Sequence, residues 1–172
     1  LMLFSTLLLA DSQDGVTGPG EILRGRFLMP AEELAKQNSY TILIELNIAE
    51  GWHINSNQPL EEFLIPTDIE FQETEGLSYG KIEFQKPELR NFSFSETKVS
   101  VYEGKSYAKT TITIAPDYSG EDMVLRATVN YQACNDESCL APSSIQVTKL
   151  VSIVETGSVT VPENQEIFDK VM

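Results

Sequence analysis

The stretch DMVLRATVNYQACNDESCLAPSSIQVTKLVSIV, residues 122–154, predicts the architecture of this chain. Apolar and polar residues largely alternate over residues 122–131, and the alternation returns over residues 144–154. A period of two residues is typical of half-buried β-strands. The stretch therefore predicts two strands of an antiparallel pair, with Cys134 and Cys139 at the mouth of the hairpin between them.

Further strands are predicted on the amino-terminal side of this hairpin. YTILIELNI, residues 40–48, places four aliphatic side chains on one face, and shorter candidates are Ile22 to Leu28, IPTDIEFQ, YGKIEFQ and YAKTTITIA. Clusters of Pro, Gly, Asn and Ser separate these segments, as is typical of an antiparallel β-sandwich. Two short helices are predicted in PAEELAKQ from Pro30 and in PENQEIFDKVM from Pro162, because proline suits the first helical turn. We therefore expect an all-β fold.

The amino-terminal segment has the composition of a secretion signal. LMLFSTLLLA, residues 1–10, is mostly apolar, and the polar, Gly-rich DSQDGVTGPG follows it. We expect residues 1–20 to be a signal-peptide remnant and flexible leader, residues 21–156 to be the folded domain, and residues 157–172 to be a linker or short helix. No run of apolar residues approaches the ~18 that a membrane-spanning helix needs. The protein is thus expected outside the cytoplasm, without membrane insertion of this chain.

The charge balance is strongly acidic. The chain has 12 Lys and Arg against 26 Asp and Glu, a net charge of −14 at pH 7. Such a charge repels a nucleic-acid backbone and an anionic membrane surface, so we expect neither as a partner. No Lys or Arg occurs between Lys36 and Lys81. An acidic run of this kind is typical of a solvated surface, and docking of basic partners is the alternative.

Cys134 and Cys139 are the only cysteines, and a close pair in an exported protein is expected to be oxidised. Opposed residues of an antiparallel pair have Cα atoms ~4.5–5.5 Å apart, which suits a disulfide. The disulfide would close a loop of only six residues, so it would restrain the unfolded chain only weakly. The intervening Asn-Asp-Glu-Ser carries no cation to lower a thiol pKa. Spacing alone leaves a structural bridge and a redox-active bridge both open.

Other chemistries are disfavoured by the residues present. His53 is the only histidine, so it cannot complete a zinc site with the two cysteines. The chain has no Gly-rich phosphate loop and no Gly-X-Ser-X-Gly elbow. We expect no metal and no organic cofactor. His53 is expected to be a buried structural imidazole, and Trp52 and Tyr131 are expected to be core aromatics.

Three segments resemble one family, in the family's own order. GWHINSNQPLEEFLIPT (residues 51–67), VYEGKSYAKTTITI (101–114) and VNYQACNDESCLAPSS (129–144) are similar to the amino-terminal periplasmic domain of the thiol:disulfide interchange protein DsbD. The resemblance covers roughly residues 21–155. It implies an immunoglobulin-like sandwich with a redox cysteine hairpin at one end. Such a domain accepts electrons from a membrane-embedded or thioredoxin-like donor and passes them to oxidised periplasmic proteins.

The resemblance also implies roles for individual residues. Cys134 and Cys139 correspond to the redox pair, and Cys139 to the usual site of mixed disulfides, which Cys134 then resolves. Tyr102, Glu103 and Gly104 resemble the family's cap loop, in which an aromatic ring shields the disulfide until a partner displaces it.

The chain departs from the best-known members in two respects. The two cysteines are separated by four residues rather than five, and Ser100 and Val101 stand where those members have an acidic pair. No carboxylate is therefore assigned to proton handling, and Glu96 and Glu103 are the candidates to approach the sulfurs.

Three functions from different classes are compatible with these features. The first is a periplasmic thiol–disulfide exchange domain, a reductase of protein disulfides that acts through Cys134 and Cys139. The second is an extracytoplasmic β-sandwich binding module with an inert disulfide and an acidic docking surface. The third is copper handling, because Cu(I) accepts two thiols and an imidazole; it requires His53 near the sulfurs. The four methionines are scattered rather than clustered, which disfavours the third.

Overall fold

The computed structural model describes residues 22–171, which form thirteen strands and one helix. The predicted signal-peptide remnant lies outside the described residues. The elements are β1 (Leu23–Leu28), β2 (Glu33–Ala35), β3 (Ser39–Ile48), β4 (His53–Asn55), β5 (Asp68–Phe71), β6 (Leu77–Tyr79), β7 (Glu83–Phe84), β8 (Glu88–Arg90), β9 (Val99–Glu103), β10 (Lys105–Ile114), β11 (Asp122–Tyr131), β12 (Ala133–Cys134), β13 (Ser143–Val154) and α1 (Gln165–Val171).

The strands form three sheets. The first has the order β1-β3-β10-β6, with β7 also paired to β10; the second has the order β2-β13-β11-β5; the third has the order β12-β4-β9-β8. Apart from the parallel pair of β2 and β13, every strand pairing within residues 22–171 is antiparallel. The predicted all-β, antiparallel sandwich is confirmed.

The main core lies between the first two sheets. The aliphatic residues predicted to share one face of β3 are buried there, and they meet the buried alternate residues of β11 and β13. Burial of a side chain the size of Leu or Ile stabilises the fold by about 1.5–3 kcal/mol. Gly25 on β1 allows close approach of the sheets, because a Cβ there would lie 2.7 Å from Cγ2 of Val147.

The prediction of a helix from Pro30 is wrong. Residues Glu33–Ala35 form β2, which pairs in parallel with the end of β13, with Leu34 opposite Ile153. A helix of two turns is marginal by itself. As a strand, the segment instead finds backbone partners at the edge of β13, and Leu34 is completely buried in the core.

The helix predicted from Pro162 is present as α1. Its Phe168 packs with Leu28 and Leu43 on the face of the first sheet that points away from the main core. The amide of Asn164 donates to the carbonyl oxygen of Met29 at 2.9 Å, which ties the start of the helix to the end of β1. The carboxyl-terminal segment thus packs on the sandwich.

The third sheet has two distinct faces. In the ladder that joins β12, β4 and β9, Ala133 is paired with Ile54, and Ile54 with Tyr102. These three side chains belong to the main core. Because successive side chains of a strand point to opposite faces, the neighbours Cys134 and His53 lie on the outer face.

Candidate functional site

A disulfide joins Cys134 on β12 to Cys139 across a tight turn, and the two residues are directly opposed, as predicted. The turn is held by its own polar groups. The backbone N–H of Asn135 donates to the carbonyl oxygen of Ser138 at 2.9 Å. The side-chain oxygen of Asn135 accepts from the N–H groups of Glu137 and Ser138 at 3.0 and 2.9 Å. Asparagine favours such turns because its side chain bonds nearby backbone groups.

The two sulfur-bearing residues differ in exposure. Cys134 is 0% exposed, whereas Cys139 is partly exposed. Disulfide exchange requires an incoming thiolate to reach one sulfur directly. Cys139 is therefore the more accessible member of the pair.

His53, on β4, lies beside Cys134, on β12. Its Cα is paired with that of Cys134 on one side and with that of Glu103 on the other. The residue is 2% exposed. Burial lowers the pKa of His53 from 6.5 to about 4, although the nearby Asp136 acts in the opposite direction. The imidazole is therefore neutral at pH 7, and its Nε2 has no hydrogen-bond partner among residues 22–171.

Two phenylalanines cover the outer face of the third sheet. Phe92 and Phe94 belong to the loop of residues 91–98 between β8 and β9. The Phe92 ring lies 3.9 Å from the imidazole of His53, and the two phenylalanine rings are 5.3 Å apart. Both pack in a small apolar cluster that includes Cys139. We call Phe92 and Phe94 the aromatic cover.

The cover is tied directly to the disulfide turn. The hydroxyl of Ser93 donates to the carbonyl oxygen of Asp136, two residues after Cys134. Sequence reasoning did not select Phe92 or Phe94. The available signal was the pair of aromatic residues in a short segment between strands, but nothing local indicates what such residues contact.

The segment predicted as the cap lies partly on the other face. Tyr102 is part of β9, is 1% exposed, and belongs to the main core. Its hydroxyl donates to Oδ1 of Asn57 at 2.7 Å. Glu103 does lie on the outer face, where Arg90 bonds its carboxylate at 3.0 Å, and Gly104 has a φ of +57° in the turn to β10. The cap role of this segment stays a prediction.

Gln132 connects the disulfide hairpin to the loop after β4. Its side-chain oxygen accepts from the amide of Asn55 at 3.0 Å and from the N–H of Ile65 at 3.2 Å. Its side-chain nitrogen donates to the carbonyl oxygen of Leu140 at 3.1 Å. Gln132, two residues before Cys134, therefore holds Leu140, the residue directly after Cys139.

An acidic cavity of about 390 Å³ lies beside the disulfide turn. Trp52, His53 and Phe92 form aromatic parts of its wall, and its carboxylates are Glu50, Glu103 and Asp136. Trp52 also packs against the main core, and Tyr131 lies within it, as predicted for both. Within residues 22–171, no group of three or more His, Cys, Asp or Glu residues is arranged to hold a metal ion.

Fold and site define a β-sandwich domain that presents one disulfide on a hairpin. The chain belongs to the family of the amino-terminal domain of the thiol:disulfide interchange protein DsbD, whose model matches residues 24–151. The implied family is thus confirmed. Thiol–disulfide exchange is the chemistry of this family.

Two solved structures are similar in fold. One is the N-terminal periplasmic domain of ScsB from Proteus mirabilis, at 14% identity and a TM-score of 0.48, covering 77% of this chain and 49% of that chain. The other is a yeast GGA1 GAE domain, at 9% identity and a TM-score of 0.42, covering 83% of this chain and 100% of that chain. No curated protein matches the chain. The part of the chain that the structure describes holds no helix long and apolar enough to cross a membrane.

Proposed function

We propose that the chain is an extracytoplasmic thiol–disulfide exchange domain that reduces disulfides of exported proteins through Cys134 and Cys139. The observation that carries this proposal is the unequal exposure of the bonded pair, with Cys134 buried and Cys139 partly exposed. A purely structural bridge needs no such difference. An exchange site does, because one sulfur must meet the partner and the other must be kept for resolution.

The reaction follows from this arrangement. A thioredoxin-like or membrane-embedded dithiol donor attacks Cys139 and releases the Cys134 thiolate, and the donor's second thiolate then frees Cys139. The reduced domain meets an oxidised client, whose disulfide the Cys139 thiolate attacks. Cys134 resolves the mixed disulfide, so the client leaves reduced and the bridge re-forms. No organic cofactor takes part in these steps.

Access to the bridge is controlled by its surroundings. The aromatic cover, Phe92 and Phe94, packs with Cys139 and is bonded to the turn through Ser93, so a partner has to displace it. Beyond the cover, Leu140 is an exposed apolar side chain on the same hairpin. Leu140 directly follows Cys139, and its carbonyl is held by Gln132. We propose that the partner's reactive cysteine approaches Cys139 across this side.

The decisive experiment is the equilibrium reduction potential of the bridge, read by thiol alkylation and mass in a dithiothreitol series. Structural disulfides lie below about −300 mV, and exchange-active bridges lie above that value. We expect a value above it, together with fast exchange with a thioredoxin-like protein. The matched control is the Cys134→Ser, Cys139→Ser double variant, which cannot exchange. A bridge that stays oxidised throughout the series contradicts the proposal and favours a binding module with an inert disulfide.

A further inference from the structure

His53 is the middle member of a row of three polar or reactive side chains on the third sheet. It is directly paired with Cys134 on β12 and with Glu103 on β9. Side chains of directly paired residues project from the same face, with Cβ atoms ~4.5–5.5 Å apart. The outer face therefore presents a sulfur, an imidazole and a carboxylate on three adjacent strands.

The imidazole is incompletely bonded in the oxidised protein. Its Nε2 is buried and has no hydrogen-bond partner among residues 22–171. A buried polar atom without a partner is costly and requires an explanation. The sulfur of Cys134 is bonded to Cys139 in this state and has no proton to donate. Reduction changes that, because it creates a thiol or a thiolate opposite the ring.

We propose that His53 is the proton acceptor of Cys134, so that the ring is neutral beside the disulfide and takes up the thiol proton when the bridge is reduced. This inference rests on the proposed exchange function and assigns it a further residue. His53 is the chain's only histidine, and the residue paired with it, Cys134, is the buried cysteine that has to become a nucleophile.

The proton transfer fits the resolving step of the exchange. After Cys139 has formed a mixed disulfide with the client, the Cys134 thiol gives its proton to Nε2 of His53. The Cys134 thiolate attacks the sulfur of Cys139, and the client sulfur leaves with the electron pair of the broken bond. The imidazolium then returns the proton to that thiolate or to water. Two electrons have passed to the client, and the new bond is the Cys134–Cys139 disulfide.

The charged groups around the ring favour an imidazolium once the thiolate is present. Asp136 on the disulfide turn raises the pKa of His53 against the effect of burial. Glu103 faces the ring from β9, although Arg90 offsets its charge, and Glu50 lines the same cavity. The Cys134 thiolate adds a negative charge on the opposite side. An opposite charge within ~4–6 Å favours the charged form of a group by about 1–3 pKa units.

The first test is the titration of His53 by NMR in tag-free protein, where the single histidine gives one set of imidazole signals. Three samples are compared: oxidised protein, protein reduced with a phosphine, and the Cys139→Ser variant, in which Cys134 is a free thiol. In the second and third samples we expect the imidazole signals to show an additional titration step at the pH where the Cys134 thiol ionises, a step that the oxidised protein lacks. Identical imidazole titration curves in all three samples overturn the proposal.

The second test is the pKa of the Cys134 thiol, followed by thiolate absorbance in the Cys139→Ser background. His53→Phe keeps a ring against Phe92 but removes the proton acceptor, so it is expected to raise the thiol pKa by about 1 unit or more. Tyr79→Phe, which removes a buried hydroxyl on the first sheet, is the control and leaves the thiol pKa unchanged. Equal thiol pKa values with and without His53 contradict the proposal.

These tests are separable from the test of the proposed function. They use a chemical reductant or a single-cysteine variant rather than a protein partner. Normal exchange with a thioredoxin-like protein combined with identical imidazole titration curves contradicts only the role of His53. Failure of exchange combined with the additional titration step contradicts only the exchange function. The NMR comparison needs no His53 variant, so a folding defect of His53→Phe does not remove the test.

Discussion

Phe92 lies almost flat on the imidazole of His53, with ring centroids 3.9 Å apart and an angle of 20° between the planes. His53 is in turn paired with Cys134, the buried half of the disulfide. The ring that keeps water from the imidazole thus lies over the same face as the disulfide. In the proposed mechanism, displacement of the 91–98 loop would expose both together and so link access of a partner to the protonation of His53.

Removal of the Phe92 ring is expected to speed reduction of the bridge. Aromatic pairs contribute about 0.5–1.5 kcal/mol, so Phe92→Ala should raise the rate of reduction by dithiothreitol roughly two- to twelvefold. The measurement is stopped-flow or quenched alkylation at pH 7. Phe63→Ala removes a phenylalanine that is 67% exposed and serves as the matched control with an unchanged rate. A rate unaffected by Phe92→Ala removes the aromatic cover from the proposed mechanism.

Tyr102 is expected to act mainly on stability. Its ring is buried in the main core, so Tyr102→Ala should lower the free energy of unfolding by about 3–5 kcal/mol. Tyr102→Phe loses only the hydrogen bond to Asn57 and should cost about 1 kcal/mol. Urea unfolding of the oxidised proteins measures both. A Tyr102→Ala protein of normal stability whose bridge is reduced faster than that of Phe92→Ala would instead support the cap role implied by the family resemblance.

The two cysteines are expected to differ as single variants. Cys134→Ser leaves the partly exposed thiol without a resolving partner, so mixed disulfides with a thioredoxin-like protein should accumulate. Cys139→Ser leaves only the buried thiol, and no mixed disulfide should form. Non-reducing electrophoresis with mass analysis of the adducts detects both outcomes. The reverse pattern would assign the attacking role to Cys134.

His53 should make the stability of the oxidised protein depend on pH. Its pKa is about 4 in the folded state and 6.5 as the ordinary value, so the unfolded chain binds more protons between these values. The contribution of His53 is therefore present above pH 6.5 and is lost as the pH falls towards 4. Between pH 7 and pH 4.5 the loss is about 2 kcal/mol. Urea unfolding at the two pH values measures this loss. The decrease in the free energy of unfolding should be smaller by this amount in His53→Phe than in the parent protein, because the carboxylates contribute equally to both. Equal decreases in the two proteins would contradict the neutral, buried imidazole.

The long strands were predictable because their pattern is local. β3, β10, β11 and β13 have ten to twelve residues each, enough for a period of two to be recognised. The strands of the third sheet have two to five residues, too few for any period, and none of them was predicted as a strand. Residues 30–37 were predicted as a helix from a proline and good helix formers. Part of this segment forms β2 instead, because it pairs with the end of β13, which lies far along the chain.

The disulfide was predictable for a similar reason. Only two cysteines exist, they are five positions apart, and they lie between two segments of clear alternation. The aromatic cover was not predictable, because Phe92 stacks on His53 only after two segments far apart in the chain have met.

The sequence by itself determined the all-β class, the main strands, the bonded cysteine pair and the family. The tertiary structure alone decided that His53 is paired with Cys134, that Phe92 stacks on His53, and that Tyr102 lies in the core. Alternation within a strand tells which residues share a face, but it does not tell which strands pair or in what register. A slip of one residue exchanges the two faces of a strand. The register of β4 with β9 and β12 therefore decides which side chains surround the disulfide.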